Sequence, residues 1–494
     1  MEVLGLVRST KNNFAPINKI PSDVFSLIPG YLKSFEEDEN LITMTHVCRG
    51  WRELLIACPS LWVRLHCKNA DKTRVYIDRS KSSPLELSLS AHLVTARIEA
   101  AFAMVIPHIG RLKSLVIFGP DGILQYLTPY LSSPIPLLNK LIISICCNPG
   151  ASVLDTTLFN GDLSSLCSLS LAGVITNLPW KNLSKLTTFK LSRVPEDKIS
   201  VTQLLDFFED AHHLRDITLH HSIPTMSNAP PGRVVSIPHL KKLTINTDLV
   251  HSILLNHLSI PAGASLTLAM GFTGDKSPVP NFLPKTLGNL GNIFPISSVN
   301  LTLSGCEKYV RLDGPSGGLY MLGDWMDWEG VPLFTLDRRI LRSFSCFDLS
   351  GTQRLTITQY KPPPVDAVYH ILSRMKDLRT LTLTQCNNLP FILALNPDRN
   401  SFNCTLCPKL EELVLYIKGL EPFNIEELMS TVKERASAGT KLSSITIVGL
   451  GELTPGKKAF KLKEYVTHVD YRVVEEAPRW DDVLGDGGVD WLGG

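Results

Sequence analysis

Leu112-Lys113-Ser114-Leu115-Val116-Ile117 sets apolar side chains at its first, fourth and sixth positions, with Lys113 and Ser114 between the first two. Its second half follows the period-two pattern of a short strand with one buried face. The hexapeptide returns as Leu138–Ile143, Leu166–Leu171, Leu186–Leu191, Leu214–Leu219 and Leu240–Ile245, at intervals of 26, 28, 20, 28 and 26 residues. Ser265–Leu268 and Val299–Leu303 continue it loosely, and Leu378–Leu383, Leu410–Leu415 and Leu442–Ile447 restore it. A strand this short cannot bury its apolar side alone, so successive copies must stack.

Between the strands the period lengthens to that of helices. Val201, Leu204, Leu205 and Phe208 form one apolar stripe, Val368, Ile371, Leu372 and Met375 a second, and Ile425, Leu428, Met429 and Val432 a third. The intervals resemble those of leucine-rich repeats, about 20–29 residues. The expected fold class is therefore α+β to α/β. A small all-helical N-terminal unit precedes a curved leucine-rich-repeat-like solenoid over 111–474, with parallel strands, inward leucines and Lys, Ser, Thr and Glu on the concave side.

One region breaks the period, near 305–352. Tyr309–Leu322 has strand-like arms around Gly314-Pro315-Ser316-Gly317-Gly318, which predicts an inserted β-hairpin. Trp325 and Trp328 follow among Asp324, Asp327 and Glu329. Insertions in repeat arrays tend to lie on the binding side, and Tyr and Trp are frequent interface anchors, so Tyr320, Trp325 and Trp328 are candidate substrate-binding residues. The alternative is that both tryptophans fold back to seal the interrupted repeats. Leu341–Asp348 and Arg354–Tyr360 read as further strands, before Pro362-Pro363-Pro364 forces a linker.

Residues 1–16 read as a loose lead-in, and 67–110 as a connecting strand, Leu85–Leu89, and helix, Ala91–Ile109. The acidic, glycine-rich tail 475–494 carries Trp480 and Trp491. In the remaining segment, 17–66, Pro21 and Ser22 open a helix with Val24, Leu27 and Ile28 on one face, and Pro29-Gly30 ends or kinks it. The acidic run Glu36–Glu39 reads as a solvated loop. Leu41, Met44, Val47, Trp51, Leu54 and Leu55 step along later helical turns, and Leu61-Trp62 closes the segment. A unit of this size buries little surface, which favours a free apolar face covered by a partner.

Three ordered clusters, Ile20-Pro21-Ser22-Asp23, Val47-Cys48-Arg49-Gly50-Trp51 and Leu61-Trp62, resemble an F-box, whose signature is Leu-Pro-x-Glu, then Val-Cys-Arg/Lys-x-Trp, then Leu-Trp. Ile20 and Asp23 replace the usual leucine and glutamate, and the acidic insert is longer than in many relatives. Asp71–Leu89, with Ser82-Ser83-Pro84-Leu85, is similar to the fungal group of that family. The resemblance implies a substrate receptor of an SCF-type cullin-RING ubiquitin ligase. Its F-box binds a Skp-type adaptor and, through it, a cullin, while its repeats hold a protein substrate. It implies adaptor contact by Ile20, Pro21, Val24, Leu27 and Ile28, and by Val47, Cys48, Trp51, Leu61 and Trp62, some of which must instead be core. A repeat scaffold that binds the adaptor without directing ubiquitylation is the alternative.

The balance of charge fits a protein partner. With 49 Lys and Arg against 47 Asp and Glu, and no basic run interleaved with aromatics, the chain lacks the electrostatic footprint for nucleic acid or an acidic membrane. Eleven scattered cysteines suit a reducing compartment. The N-terminus shows no signal segment, and the apolar run Leu137–Cys147, broken by Lys140, is too short to span a bilayer. A soluble protein of the cytoplasm or nucleus is expected.

Catalytic patterns are weak. Gly451-Glu452-Leu453-Thr454-Pro455-Gly456-Lys457-Lys458 imitates a phosphate-binding loop, but lysine stands where a magnesium-binding hydroxyl belongs and Pro455 removes an amide donor. Cys404-x-x-Cys407 lacks a second pair at zinc spacing, and His212-His213 and His220-His221 flank a repeat strand. Asn182, Asn300 and Asn403 open glycosylation triplets that have no meaning without secretion. The expectation is a non-catalytic protein without cofactor or metal.

Overall fold

The hexapeptide leucines are buried throughout the computed structural model, which describes residues 15–31, 39–90, 96–146, 152–154, 158–161, 163–176, 182–195, 198–222, 228–246, 252–270, 284, 287–304, 307–323, 347–359, 364–384, 388–399, 404–418, 425–450 and 457–474. The chain is mixed α/β with mostly parallel strands and divides into two compact units. One comprises Met1–Ile199 with Asp206–Leu214, the other Ser200–Leu205 with Arg215–Gly494.

In the first unit, β1 (Arg64–Leu65), β2 (Leu85–Ser90), β3 (Leu112–Gly119), β4 (Lys140–Ile145), β5 (Ser168–Ala172) and β6 (Thr188–Ser192) pair in sequence order, every pair parallel. The register carries one inward row through Leu87, Leu115, Leu141, Leu169 and Phe189. All five are at most 3% exposed, a burial worth about 1.5–3 kcal/mol per side chain. A main-chain device fixes that register. In two repeats of this unit the residue after the first leucine turns its carbonyl to the next repeat and accepts two N–H groups: Asn139 from Cys167 and Ser168, Cys167 from Thr187 and Thr188. These bonds measure 2.8–3.0 Å, and in the second unit Arg215, Arg379 and Glu411 repeat them.

The second unit starts the same way, with β7 (Asp216–His220), β8 (Lys242–Asn246) and β9 (Ser265–Met270) parallel in order. Its end is regular too: β13 (Arg354–Gln359), β14 (Thr380–Thr384), β15 (Glu412–Lys418), β16 (Ser444–Leu450) and β17 (His468–Val474). Between them lies a meander of β10 (Ser298–Ser304), β11 (Glu307–Asp313) and β12 (Gly318–Gly323), antiparallel within itself. Its spatial order is reversed. β12 pairs with β9 and β10 with β13, both parallel, so β11 alone of these strands runs backwards.

The hairpin expected over Tyr309–Leu322 therefore exists, but it is built into the sheet rather than set outside it. Leu312 and Val310 extend the inward rows between Leu319 and Met321 on one side and Val299 and Leu301 on the other. Its turn is fixed by close packing. A Cβ on Gly317 would lie 2.2 Å from the Ala264 carbonyl oxygen, and one on Gly314 would lie 2.4 Å from that of Asn292.

The helices are α1 (Ser22–Tyr31), α2 (Glu39–Thr45), α3 (Arg49–Ile56), α4 (Ala70–Ser80), α5 (Ala96–Val105), α6 (Asp121–Leu131), α7 (Val201–Asp210), α8 (Ser252–Leu255), α9 (Val365–Leu372), α10 (Leu389–Leu395) and α11 (Ile425–Ser437). The three expected stripes fall on α7, α9 and α11, although Met375 lies just beyond α9; the first two are buried throughout, while in the third Leu428 and Val432 are buried and Ile425 and Met429 half-buried. Pro29 lies inside α1, close before its last described residue, Tyr31, and removes one main-chain N–H there. Of the helix expected over Ala91–Ile109 and closed by Pro107, α5 covers Ala96–Val105 and Pro107 lies in the 3-10 turn Ile106–Arg111 that follows, while 91–95 lie outside the described residues. The acidic run over 36–38, Trp325, Trp328, residues 341–346, the loop 451–456 and the tail 475–494 lie outside the described residues.

Arg435 of α11 is completely buried. Its guanidinium donates to the carbonyls of Leu406 (2.8 Å) and Cys407 (2.9 Å), holding the turn before β15, where Cys407 has φ 46°. Burial lowers its pKa, as expected for a cation taken out of water.

The register makes a direct prediction. Leu381→Asp, at a fully buried inward position, should cost on the order of 3 kcal/mol or more, while Thr382→Asp on the opposite face costs much less. Denaturant unfolding of the two variants checks it.

Candidate functional site

The N-terminal helices are held by three aromatic side chains. Phe25 of α1, 2% exposed, meets Trp51 of α3 edge to face at 4.7 Å between ring centroids. The indole N–H of Trp51 donates to Asn18 Oδ1, which ties in the 3-10 turn Pro16–Lys19. Cys48 caps α3, its sulfur accepting the Trp51 N–H at 3.4 Å. Trp62, 1% exposed, donates from its indole to the Leu55 carbonyl at 2.8 Å.

Trp62 also reaches beyond the helices. Its ring meets Tyr76 of α4 edge to face at 5.0 Å, and the Arg79 guanidinium lies 4.3 Å from its centroid. Two residues on, Arg64 pairs with Glu86 at 3.2 Å where β1 joins β2. The helical segment therefore runs into the first repeat strand through a packed joint.

This arrangement sorts the residues singled out in the sequence. Pro21, Val24, Leu27 and Val47 are exposed, Leu27 to 58% and Val47 to 56%. Ile20, Ile28, Cys48, Trp51 and Leu61 are half-buried. Trp62 is corrected outright: it is enclosed by Leu55, Tyr76 and Arg79 and offers no surface to a partner. Ile17 and Leu54, which the motif did not mark, are exposed apolar residues of the same segment. Nothing in the sequence alone separates exposed Leu54 from buried Leu55, since adjacent apolar residues such as Leu204 and Leu205 can both be buried on one helix.

On the repeats, Tyr320 is half-buried on the face opposite the leucines, opposite Thr267 of β9 and Arg311 of β11. Arg311 is neutralised by Asp313 at 2.7 Å. Much of this face is not open, as the alternation implied. Thr244, Thr267, Thr302, Thr358 and Thr384 are all buried, which an uncharged β-branched side chain tolerates far better than the Lys and Glu of other repeats would.

The cysteine pair divides. Cys407 is buried, its thiol donates to the Leu372 carbonyl at 3.4 Å, and burial pushes its pKa up to about 12, so it stays a thiol. Cys404 is exposed beside the Tyr369 hydroxyl at 3.5 Å. The His220 and His221 rings meet edge to face at 4.5 Å. Among the described residues no group of three or more His, Cys, Asp or Glu is placed to hold a metal ion, and no helix is long and apolar enough to cross a membrane. No family model matches the chain, and no curated protein matches it.

The sorting predicts opposite outcomes for two truncations. Trp62→Ala should lower unfolding free energy by about 3–5 kcal/mol, whereas Leu27→Ala should change it by no more than about 0.5 kcal/mol. Chemical denaturation of both variants measures this.

Proposed function

We propose that the chain is the substrate-recognition subunit of an SCF-type cullin-RING ubiquitin ligase, binding a Skp-type adaptor through its N-terminal helices and a protein substrate through its repeats. The observation that carries the reading is the exposure of Val24, Leu27 and Val47, with Ile17 and Leu54, on a helical segment whose aromatic residues are otherwise packed inward. Several exposed apolar side chains on so small a unit favour a protein contact. They belong to the segment whose motifs resemble an F-box, and leucine and valine knobs suit a helical partner.

In this reading the chain performs no chemistry. It raises the effective concentration of a substrate beside the conjugating machinery and fixes its geometry. The Trp62 contacts with Leu55, Tyr76 and Arg79 support that role by packing the helical segment against the start of the repeats. Tyr320 is the substrate-contact candidate within the described residues.

Val24→Asp with Leu27→Asp should weaken binding of the purified adaptor about tenfold or more at unchanged melting temperature. Adaptor titration followed by a ubiquitylation assay with co-purified proteins tests both halves. Undiminished binding removes the adaptor assignment, and binding without any ubiquitylated product favours a scaffold.

A further inference from the structure

In the second unit β17 is an edge strand: among the described residues its only strand partner is β16. His468 donates its N–H to the Ser443 carbonyl at 3.0 Å, so His468, Asp470 and Arg472 turn their main-chain groups toward β16. Successive residues of a strand alternate in this, and the N–H and C=O of Val469 and Val473 therefore point along the outer edge. The same two valines are poorly covered on the apolar face. Leu413, Leu415 and Ile417 of β15 are at most 5% exposed, whereas Val473 is 63% exposed and Val469 half-buried.

We propose that this edge pairs with β17 of a second copy of the chain, antiparallel, about a two-fold axis at residue 471. In that register Val469 stands opposite Val473 of the second copy and Asp470 opposite its Arg472, each twice by symmetry. The valines fall at hydrogen-bonded positions, where each pair exchanges both N–H···O bonds. Asp470 and Arg472 fall at the positions between, where opposite residues approach most closely and opposite charges attract. Within one chain these two side chains already meet at 2.6 Å with much of their surface in solvent, so both are within reach of a strand laid alongside.

Charge selects this register and this occupant. Charged residues on an edge strand commonly keep other strands away, but here the two are opposite in sign and symmetric about residue 471. The neighbouring registers that keep the valine main chains facing each other place the axis at Asp470 or at Arg472. They set aspartate against aspartate or arginine against arginine, which is destabilising. A two-fold contact requires such self-complementarity. A second copy carries it by construction, whereas an unrelated strand matches it only by chance. One short strand from each side makes a small interface, so the association is weak and depends on concentration.

Sedimentation of the full chain tests the proposal. Its mass should rise from monomer toward dimer with concentration, while hydrogen exchange slows in 468–474 and stays unchanged in 380–384. Arg472→Asp and Asp470→Arg each set like charges against each other across the axis, and each should weaken association about tenfold or more. Mixing the two single variants sets arginines against aspartates and should restore association as a heterodimer. Asp470→Arg combined with Arg472→Asp should restore it as a homodimer, which separates the contact from any loss of the pair within one strand. A chain that stays monomeric at every concentration overturns the proposal. So does a dimer that the single variants leave intact, or single variants that fail to associate when mixed.

Discussion

In several repeats one main-chain carbonyl accepts two N–H groups from the next, from Cys167 and Ser168 at Asn139 in the first unit and from Ser443 and Ser444 at Glu411 in the second. This contact sets the start of the following strand, and through it the row in which every later leucine falls. A slip of one residue would turn Leu115, Leu141 and Leu169 to the opposite face together. Short strands with uneven loops between them are tolerated because the lock is local and the loops are not part of it. The 20-residue step from Leu166 to Leu186 and the 28-residue step from Leu186 to Leu214 each end in a leucine that is fully buried.

The N-terminal helices depend on a different kind of contact. Aromatic rings, not main-chain pairing, join them to each other and to the first strand. Trp51 and Phe25 close the helices on themselves, and Trp62 closes them on α4. With these rings turned inward, smaller side chains such as Val24 and Leu27 are left facing out, the division on which the proposed adaptor contact rests.

The strand rows were legible because L-x-x-L-x-L is a local pattern and burial follows its period. The order of the meander was not. Leu301, Val310 and Leu319 alternate alike whether their strands run up or down, so only long-range pairing shows that β12, not β10, sits beside β9. Among the F-box-like residues the motif marked the segment but could not divide core from surface, because Trp62 and Leu27 are both apolar and differ only in what packs around them. Helices α6 and α10 also escaped notice: each contains a proline and lacks a side-chain cap.

Residues 16–31 and 47–56 are proposed to meet the adaptor, whereas Trp62 is buried within the fold. Hydrogen exchange measured with and without a purified Skp-type adaptor tests this most directly. The account predicts slowed exchange in 16–31 and 47–56, no change in 58–65 and no change from β13 to β16. Exchange in 16–56 that the adaptor leaves untouched, or slowing confined to the repeats, would contradict it.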